Sequence, residues 1–429
     1  MTMSRWNPMS LPLLLVLTSL SCGYLPESER ETLNSLLRVM VQSVHSSEGP
    51  PNPSVHLALR LASSHHLPTE VLLLQQLKMT AVEKVKHGED FSSGLVALYT
   101  LAMAASCHNP TDVSYKGERI DLVEILQQKL TKEIEHIGKT TFPLSNYYQV
   151  SLDVLTLCMM DAEISQDIVQ ILIDAVMNDK FTYGSEFSVD TGAVAALALR
   201  CMIDRKTTIH ISNALNHILE QILSRITDDG LIGNLYSTGL AIQALSVNSD
   251  RVAPGRWNRT KSVGRLLSGI LEGSFANPQA ASQIVPSLEG RSYLDVTRLN
   301  CAEDCSNLTF PVSSTSPPPT TQGLPITVEY NIVDGLTHSF SDAASVSVPG
   351  GSPLIRVLER ARDLYPDRFS FSITQNLWGP SLTTVQGLTA SSQNRTYWQL
   401  LSGSKPLDQG IGDYKPKEGE QIFAKYSHY

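Results

Sequence analysis

The stretch Tyr183-Gly-Ser-Glu-Phe-Ser-Val-Asp-Thr-Gly-Ala-Val-Ala-Ala-Leu-Ala-Leu-Arg-Cys201 decides the architecture, because the chain repeats its design. A polar, turn-forming lead-in (Gly184 to Ser188) runs into Asp190 and Thr191, either of which can cap a helix by accepting from a free backbone N–H. An alanine-rich apolar segment follows and ends near Cys201. Apolar on all sides, it reads as a buried helix. Asp190 then stands at the rim of a core, beside a helix N-terminus. The plainer reading makes it a cap and nothing more.

The same arrangement recurs. Ser92-Ser-Gly-Leu-Val-Ala-Leu-Tyr-Thr-Leu-Ala-Met-Ala-Ala-Ser-Cys107 has it, and so has Ser145-Asn-Tyr-Tyr-Gln-Val-Ser-Leu-Asp-Val-Leu-Thr-Leu-Cys158. Tyr236 to Leu245 repeats it, and Asn277 to Leu288 does so more weakly. With Gly192, Gly239 and Ala280 as equivalents, the spacings are 47 and 41 residues. Amphipathic helical patterns lie between, at 120–137, 166–177 and 209–226. A period in the forties that alternates buried and amphipathic helices means stacked helix pairs. Five or six such pairs close into an α/α barrel, a toroid whose inner-helix N-termini ring one mouth. Upstream, 27–44 and 69–86 are helical, and Ser54 is positioned to cap a helix over 55–62.

The mouth residues on this reading are Ser145, Asn146, Tyr147, Tyr148, Gln149, Asp190, Thr191, Asn234, Ser237, Thr238, Gln279 and Gln283. Amides and hydroxyls both donate and accept, which suits a ligand rich in neutral polar groups. A helical-barrel glycosidase would need two opposed carboxylates, and Asp190 stands alone; Asp153, one turn inside a helix, reads as structural. A secreted α/α-barrel carbohydrate-active enzyme with a β accessory domain is the competing reading.

The chain has 429 residues, 42% hydrophobic and 17% charged, with a net charge of −9. That balance argues against nucleic acid and acidic membranes as partners. Arg5, the apolar run Leu11–Leu20 and Ser19-Leu-Ser21 read as a secretory signal over residues 1–21, too short to span a bilayer core of about 30 Å. Cleavage as a bacterial lipoprotein before Cys22 is the rival, disfavoured by Ser19. Six cysteines (Cys22, Cys107, Cys158, Cys201, Cys301 and Cys305) imply three disulfides in an oxidising compartment, with the pairing open. Asn258, Asn307 and Asn394 open glycosylation sequons.

The barrel is assigned to residues 22–309. Residues 310–325, rich in Pro, Thr and Ser, form a linker. Alternating segments and one helix (353–364) make 326–429 a small β-rich domain, expected as an antiparallel sheet. There Leu377, Trp378, Gly379, Pro380, Ser381 and Leu382, with Tyr397, Trp398, Gln399, Leu400, Leu401, Ser402 and Gly403, read either as that domain's own core or as an apolar wall closing over a ligand at the mouth.

Pro51-Asn-Pro-Ser54, Ser188-Val-Asp-Thr-Gly192, Gly233-Asn-Leu-Tyr-Ser-Thr-Gly239, Gln283-Ile-Val-Pro-Ser-Leu288, Ser292-Tyr-Leu-Asp295 and Tyr397-Trp-Gln-Leu-Leu-Ser-Gly403 together resemble the eukaryotic cobalamin carriers, nearer the haptocorrin and intrinsic-factor branches than transcobalamin. The resemblance runs through the whole mature chain. It implies a secreted, monomeric, non-enzymatic protein that sandwiches one cobalamin between its domains and hands it to a cell-surface receptor. Asp190, Asn234, Gln283 and the 145–149 segment carry over as ligand contacts, as do Leu377–Leu382 and the segment from Trp398. No protein metal ligand is implied: Phe187 stands where transcobalamin has a cobalt-binding His. Leu95 replaces a usual Gln or Glu. The family pairing implies Cys107–Cys301 and Cys158–Cys201. Arg259 replaces the usual partner of Cys22, so Cys22–Cys305 is expected; the alternative is cleavage of the signal after Cys22, which leaves Cys305 free or intermolecular.

Overall fold

The computed structural model describes residues 25–46, 50–183, 186–205, 209–310, 323–376, 379–391 and 394–428. The proposed signal (1–21), Cys22, Gly184, Leu377, Trp378 and residues 311–322 of the linker lie outside them.

The helices are α1 (Glu27–Ser46), α2 (Pro53–Leu61), α3 (Leu67–His87), α4 (Ser93–Ala105), α5 (Leu122–Thr140), α6 (Tyr147–Met159), α7 (Gln166–Met177), α8 (Val189–Asp204), α9 (Ile209–Leu223), α10 (Ser237–Val247), α11 (Arg259–Leu271) and α12 (Pro278–Leu288). Among the described residues, α2, α4, α6, α8, α10 and α12 each pack on the next, and α12 returns to α2, closing a ring. The odd-numbered helices lie outside. The ring members are the apolar ones: every residue of α10 from Ser237 to Leu245 is buried, whereas α5 buries only a stripe (Leu122, Leu126, Leu130, Ile137). The α/α barrel expected from the period is thus present.

Ring neighbours run parallel, which puts like ends together. The Cys158–Cys201 disulfide joins the C-terminal turns of α6 and α8. Arg60 at the end of α2 donates to Ala105 O at the end of α4, 3.1 Å. At the other end, Gln149 of α6 reaches the Gly94 N–H of α4, 3.1 Å. The C-terminal end is closed by a 3-10 turn, Tyr293–Arg298, that packs on both α4 and α8. Its Tyr293 N–H donates to Gln243 Oε1 of α10, 3.0 Å, and the Cys107–Cys301 disulfide seals it to α4. The barrel is therefore a cup, open where the inner helices begin.

Two short hairpins edge the barrel: β1 (Val113–Tyr115) with β2 (Glu118–Ile120), and β3 (Thr182–Tyr183) with β4 (Glu186–Phe187). The second domain contains β5 (Gly323–Asp334), β6 (Ser341–Gly350), α13 (Leu354–Leu364), β7 (Phe371–Asn376), β8 (Gly379–Val385), β9 (Leu388–Thr389), β10 (Thr396–Ser402), β11 (Lys405–Pro406) and β12 (Gln421–His428). β5 starts three residues earlier than the sequence reading placed the domain. The single antiparallel sheet expected is instead a five-stranded sheet, ordered β11-β10-β12-β5-β6, and a three-stranded one, β7-β8-β9. Its β5–β12 pair is parallel, because the last strand inserts beside the first. Alternation holds: Ala344, Val346 and Val348 of β6 face the core, where α13 adds Leu354, Val357, Leu358 and Ala361.

Two cysteine pairings stand as expected. Cys305 is a free, exposed thiol, and Cys22, its expected partner, lies outside the described residues. The neighbours of Cys305 explain the exposure. Asp304 pairs with Arg60, and the His65 N–H donates to Asn307 Oδ1, 2.7 Å, which holds the segment against the α2–α3 turn and leaves the thiol outward.

Candidate functional site

Each inner helix begins with a capping side chain at the mouth. Asn52, Ser92, Asn146 and Ser188 accept from Ser54, Leu95, Gln149 and Thr191 N–H groups at 2.9, 3.4, 2.9 and 3.3 Å. Asn234 accepts from Tyr236 and Ser237 N–H at 2.9 and 2.8 Å, and Asn277 from Gln279 N–H at 2.7 Å. Two sequence expectations change here. Asn52, not Ser54, caps α2, because Pro53 at the first helical position shifts the cap upstream. Ser188 caps α8, so Asp190 and Thr191 do not.

That change frees the Asp190 carboxylate. It is half-buried, and burial pushes its pKa up to about 6 against a weaker pull from a backbone hydrogen bond. Its charge acts on the hydroxyls of Tyr148 and of Tyr293, the tyrosine rising from the floor. A cap satisfied elsewhere leaves Asp190 as the mouth's ionisable acceptor. The folded value lies above the ordinary 3.8, so this group's contribution is most favourable below about pH 4 and is lost as pH rises through 6. Asp190→Asn is expected to raise unfolding free energy above pH 6 by on the order of 1 kcal/mol and to flatten the pH dependence between 4 and 6, read from denaturant titrations across that range.

Gln283 of α12 is 7% exposed, and its Oε1 has no partner among the described residues. An unpaired buried carbonyl costs about 1–3 kcal/mol, so this atom calls for a donor from water or a ligand. Asp153 is fully buried beneath the rim near Ser93, and burial raises its pKa well above the ordinary range. Other predicted residues are engaged within the protein. Ser237 Oγ donates to Ile232 O, 2.8 Å, and accepts from Asn234 N–H, 2.9 Å. Thr191 Oγ1 pairs with Ser188 Oγ, 2.9 Å. The Ser145 N–H donates to Glu133, 3.1 Å, and Tyr147 packs on Phe181. Phe187 lies over Gly192, where an added Cβ would sit 2.4 Å from its ring. Asn234→Ala removes a cap and should lower stability by about 1 kcal/mol, visible as a lower barrel melting temperature.

The β domain faces this mouth. Gln409 donates to the Tyr236 hydroxyl, Asn277 Nδ2 donates to Asp413, and Gly379 (φ 97°) lies where a Cβ would meet Gln279 Oε1 at 3.3 Å. On the far side the Arg395 guanidinium sits over the Phe142 ring, 4.0 Å from its centre. A cavity of about 280 Å³ lies in the seam between Tyr236 and Ser402, Lys405, Leu407, Asp408 and Tyr414. Trp398 is a correction to the wall reading. It is 5% exposed in the β-domain core, packs on Phe340 and Tyr426, and donates its indole N–H to Leu388 O, 3.3 Å. Period-2 geometry explains this: Thr396, Trp398 and Leu400 share one face of β10, which leaves Tyr397, Gln399 and Leu401 on the other. Leu382 also belongs to that core. Pro380 and Ser381 are half-buried; Ser402 lines the seam cavity, and Gly403 (φ 58°) makes the β10–β11 turn.

Sequence reading missed Tyr293, Tyr236, Asn277, Phe142 and Arg395. Tyr293 had a signal, the Ser292-x-x-Asp295 capping box that the structure forms. The others meet across sequence distances that no local pattern reveals.

Fold and site define a two-domain protein in which a β-rich domain covers the capped mouth of a closed helical cup. The family described as eukaryotic cobalamin-binding protein matches residues 9–322, and the chain belongs to it. It is 35% identical to human transcobalamin-1 over 92% of both chains, and 33% identical to human cobalamin binding intrinsic factor over 96% of this chain and 95% of that one. It is also similar to the crystal structure of haptocorrin in complex with Cbi (cobinamide): TM-score 0.76 and 32% identity over 94% of this chain and 98% of that one. Residues 354–428 match a domain of unknown function.

Proposed function

We propose that this protein binds one cobalamin between the barrel mouth and the β domain and carries it unchanged. The observation that supports it most is the unpartnered, buried Gln283 Oε1 on α12, with the half-buried Asp190 on α8, in a ring of helix N-termini facing the β domain. Corrin offers an edge of amide side chains, whose N–H groups suit these acceptors and whose carbonyls suit helix N-termini. The names and titles of the relatives agree with this ligand. The site comprises Asp190, Gln283, Tyr148 and Gln149, with Gly379, Pro380, Ser381, Tyr397, Gln399, Leu401 and Ser402 from the lid; Asn146 and Asn234 keep their amide nitrogens for the ligand while their oxygens cap. No lone pair is offered by Phe187, so the cobalt keeps its own lower base.

The protein is secreted as a monomer without its first 21 residues, consistent with the absence, among the described residues, of a helix long and apolar enough to cross a membrane. A receptor takes up the loaded form. It is not an enzyme: the glycosidase reading needs a second exposed carboxylate, and Asp153 is sealed in the core. Full-length protein incubated with cobalamin and desalted should retain the red chromophore at one per chain; loss of colour on desalting would overturn the assignment.

A further inference from the structure

α10 turns one stripe toward its ring neighbour α12. Tyr236, Gly239 and Gln243 follow at spacings of three and four, which puts them on one face of the helix. Tyr236 donates its hydroxyl to Ser274 O in the segment ahead of α12, 3.3 Å, and its ring packs on Phe275. Gln243 Oε1 accepts from Tyr293 N–H of the floor, 3.0 Å. Gly239 lies between them, against α12 itself. A Cβ added there would stand 2.6 Å from the Gln283 backbone carbonyl oxygen, 2.9 Å from Ile284 Cγ2 and 3.0 Å from Ile284 Cα.

Two other glycines near the starts of inner helices leave similar space, but side chains fill it. Gly94 of α4 is met by Gln149 Cγ at 2.7 Å, and Gly192 of α8 by the Phe187 ring at 2.4 Å. A side chain can turn aside for a methyl group, whereas a packed helix backbone has to move as a body. α12 also leans on this contact because of its own sequence. Pro286, inside the helix, has no N–H for the Ser282 carbonyl. The ladder is therefore a bond short beside Gln283, and the turn that carries Gln283 takes its place from packing. Gln283 is also the residue whose buried Oε1 has no partner among the described residues.

We infer that Gly239 is a positioning residue for the ligand contact of Gln283: without a side chain it lets α12 rest on the backbone of α10, and this sets where the Gln283 amide stands in the mouth. The ligand's identity rests on the cobalamin reading; the seating of Gln283 does not. Binding groups have to be held within about 0.5 Å of their productive place. A methyl group at 239 would force the Gln283 carbonyl from 2.6 Å to at least 3.0 Å, the nearest approach that real Cβ atoms show.

Gly239→Ala in the full chain should weaken cobalamin binding by about twofold to tenfold, the worth of one hydrogen bond, as Gln283→Ala does. Added to Gln283→Ala it should cost less than about twofold more, because the contact it misplaces is already gone. Gly264→Ala on α11, where a Cβ would meet nothing within 4 Å, makes the same gain in helix propensity and should leave affinity unchanged. A crystal structure of ligand-free Gly239→Ala should show the Gln283 turn withdrawn from α10. Pro286→Ala alters the same turn without adding an atom to the interface; it should repeat the binding pattern, and it carries the test if Gly239→Ala does not fold. Unchanged affinity, an equal loss with and without the Gln283 side chain, or an unmoved α12 would overturn the positioning role. Wild-type protein that retains no cobalamin, with the turn withdrawn in the Gly239→Ala crystal, would refute the ligand reading and leave the seating of Gln283 standing.

Discussion

Arg60→Ala should lower the unfolding free energy of the barrel by about 3–5 kcal/mol, the largest single-residue effect expected in this protein. Arg60 is 5% exposed at the end of α2. Its guanidinium donates to Glu70, 2.7 Å, to Asp304, and to Ala105 O, 3.1 Å, with the Cys301 sulfur at 3.4 Å. One side chain thus ties α2, α3, the end of α4 and the segment that leaves the cup floor. Truncation leaves Glu70, 3% exposed, and Asp304 beside it without their cation, and the uncompensated charges dominate the cost. Burial works against the Glu70 carboxylate, yet His65 and Arg60 outweigh it and hold its pKa below 4.5. Stability from this group is therefore present above the ordinary carboxylate value and lost as pH falls through the lowered one. Calorimetry should show the barrel transition falling by on the order of 10 °C at pH 7, with the gap to wild type narrowing in acid. A deficit below about 1 kcal/mol would mean the network is solvated and the floor is held by the Cys107–Cys301 disulfide alone. Arg60→Lys should rescue little, because a point charge cannot reach three acceptors in different directions.

The second large effect concerns binding. Asp190→Ala should weaken cobalamin affinity by about 10–100-fold, the range for a hydrogen bond to a charged acceptor in a partly buried site. The fold should be spared, because Ser188 is the cap of α8. Far-UV circular dichroism and melting temperature are therefore the control, and competition binding at pH 7.5 is the measurement. Wild-type affinity should itself fall between pH 7 and 5, as a group with a pKa of about 6 is protonated, and the Ala variant should lose that dependence. Gln283→Ala makes a useful contrast. It removes a buried acceptor that is already unpaired, so it should weaken binding while leaving the ligand-free protein equally or more stable. Wild-type affinity in both variants would move the site away from the α8 and α12 mouths.

Comparison of these residues shows where local pattern suffices. The apolar Ala193–Leu199 run reads as a buried helix, and its recurrence at 47 and 41 residues means stacked helix pairs. A closed ring of five or six parallel inner helices follows from that repeat, because each pair can hide its apolar face only against the next; the folded chain closes with six. The alternation in 341–350 likewise determined β6 and its inward face. What sequence determined by itself is therefore the barrel, the β-rich domain, and the mouth at which Asp190 and Gln283 stand.

Tertiary structure decided which mouth residues remain available. Ser237 and Thr191 look as suited to a ligand as Asp190, but each is engaged by a backbone or side-chain group of its own turn, and Asn234 has only its amide nitrogen left because its oxygen caps α10. Ser188 rather than Asp190 took the cap by a choice between neighbours that both satisfy the cap preference. Trp398 went to the core and Tyr397 to the other face because strand register assigns alternate residues to opposite sides, and register depends on the pairing of β10 with β12. Arg395 lies over the Phe142 ring, Tyr236 meets Gln409, and Asn277 meets Asp413. Hydrophobic periodicity acts over one or two turns of chain; contacts across such separations depend on how two finished domains meet, and only the folded molecule fixes that.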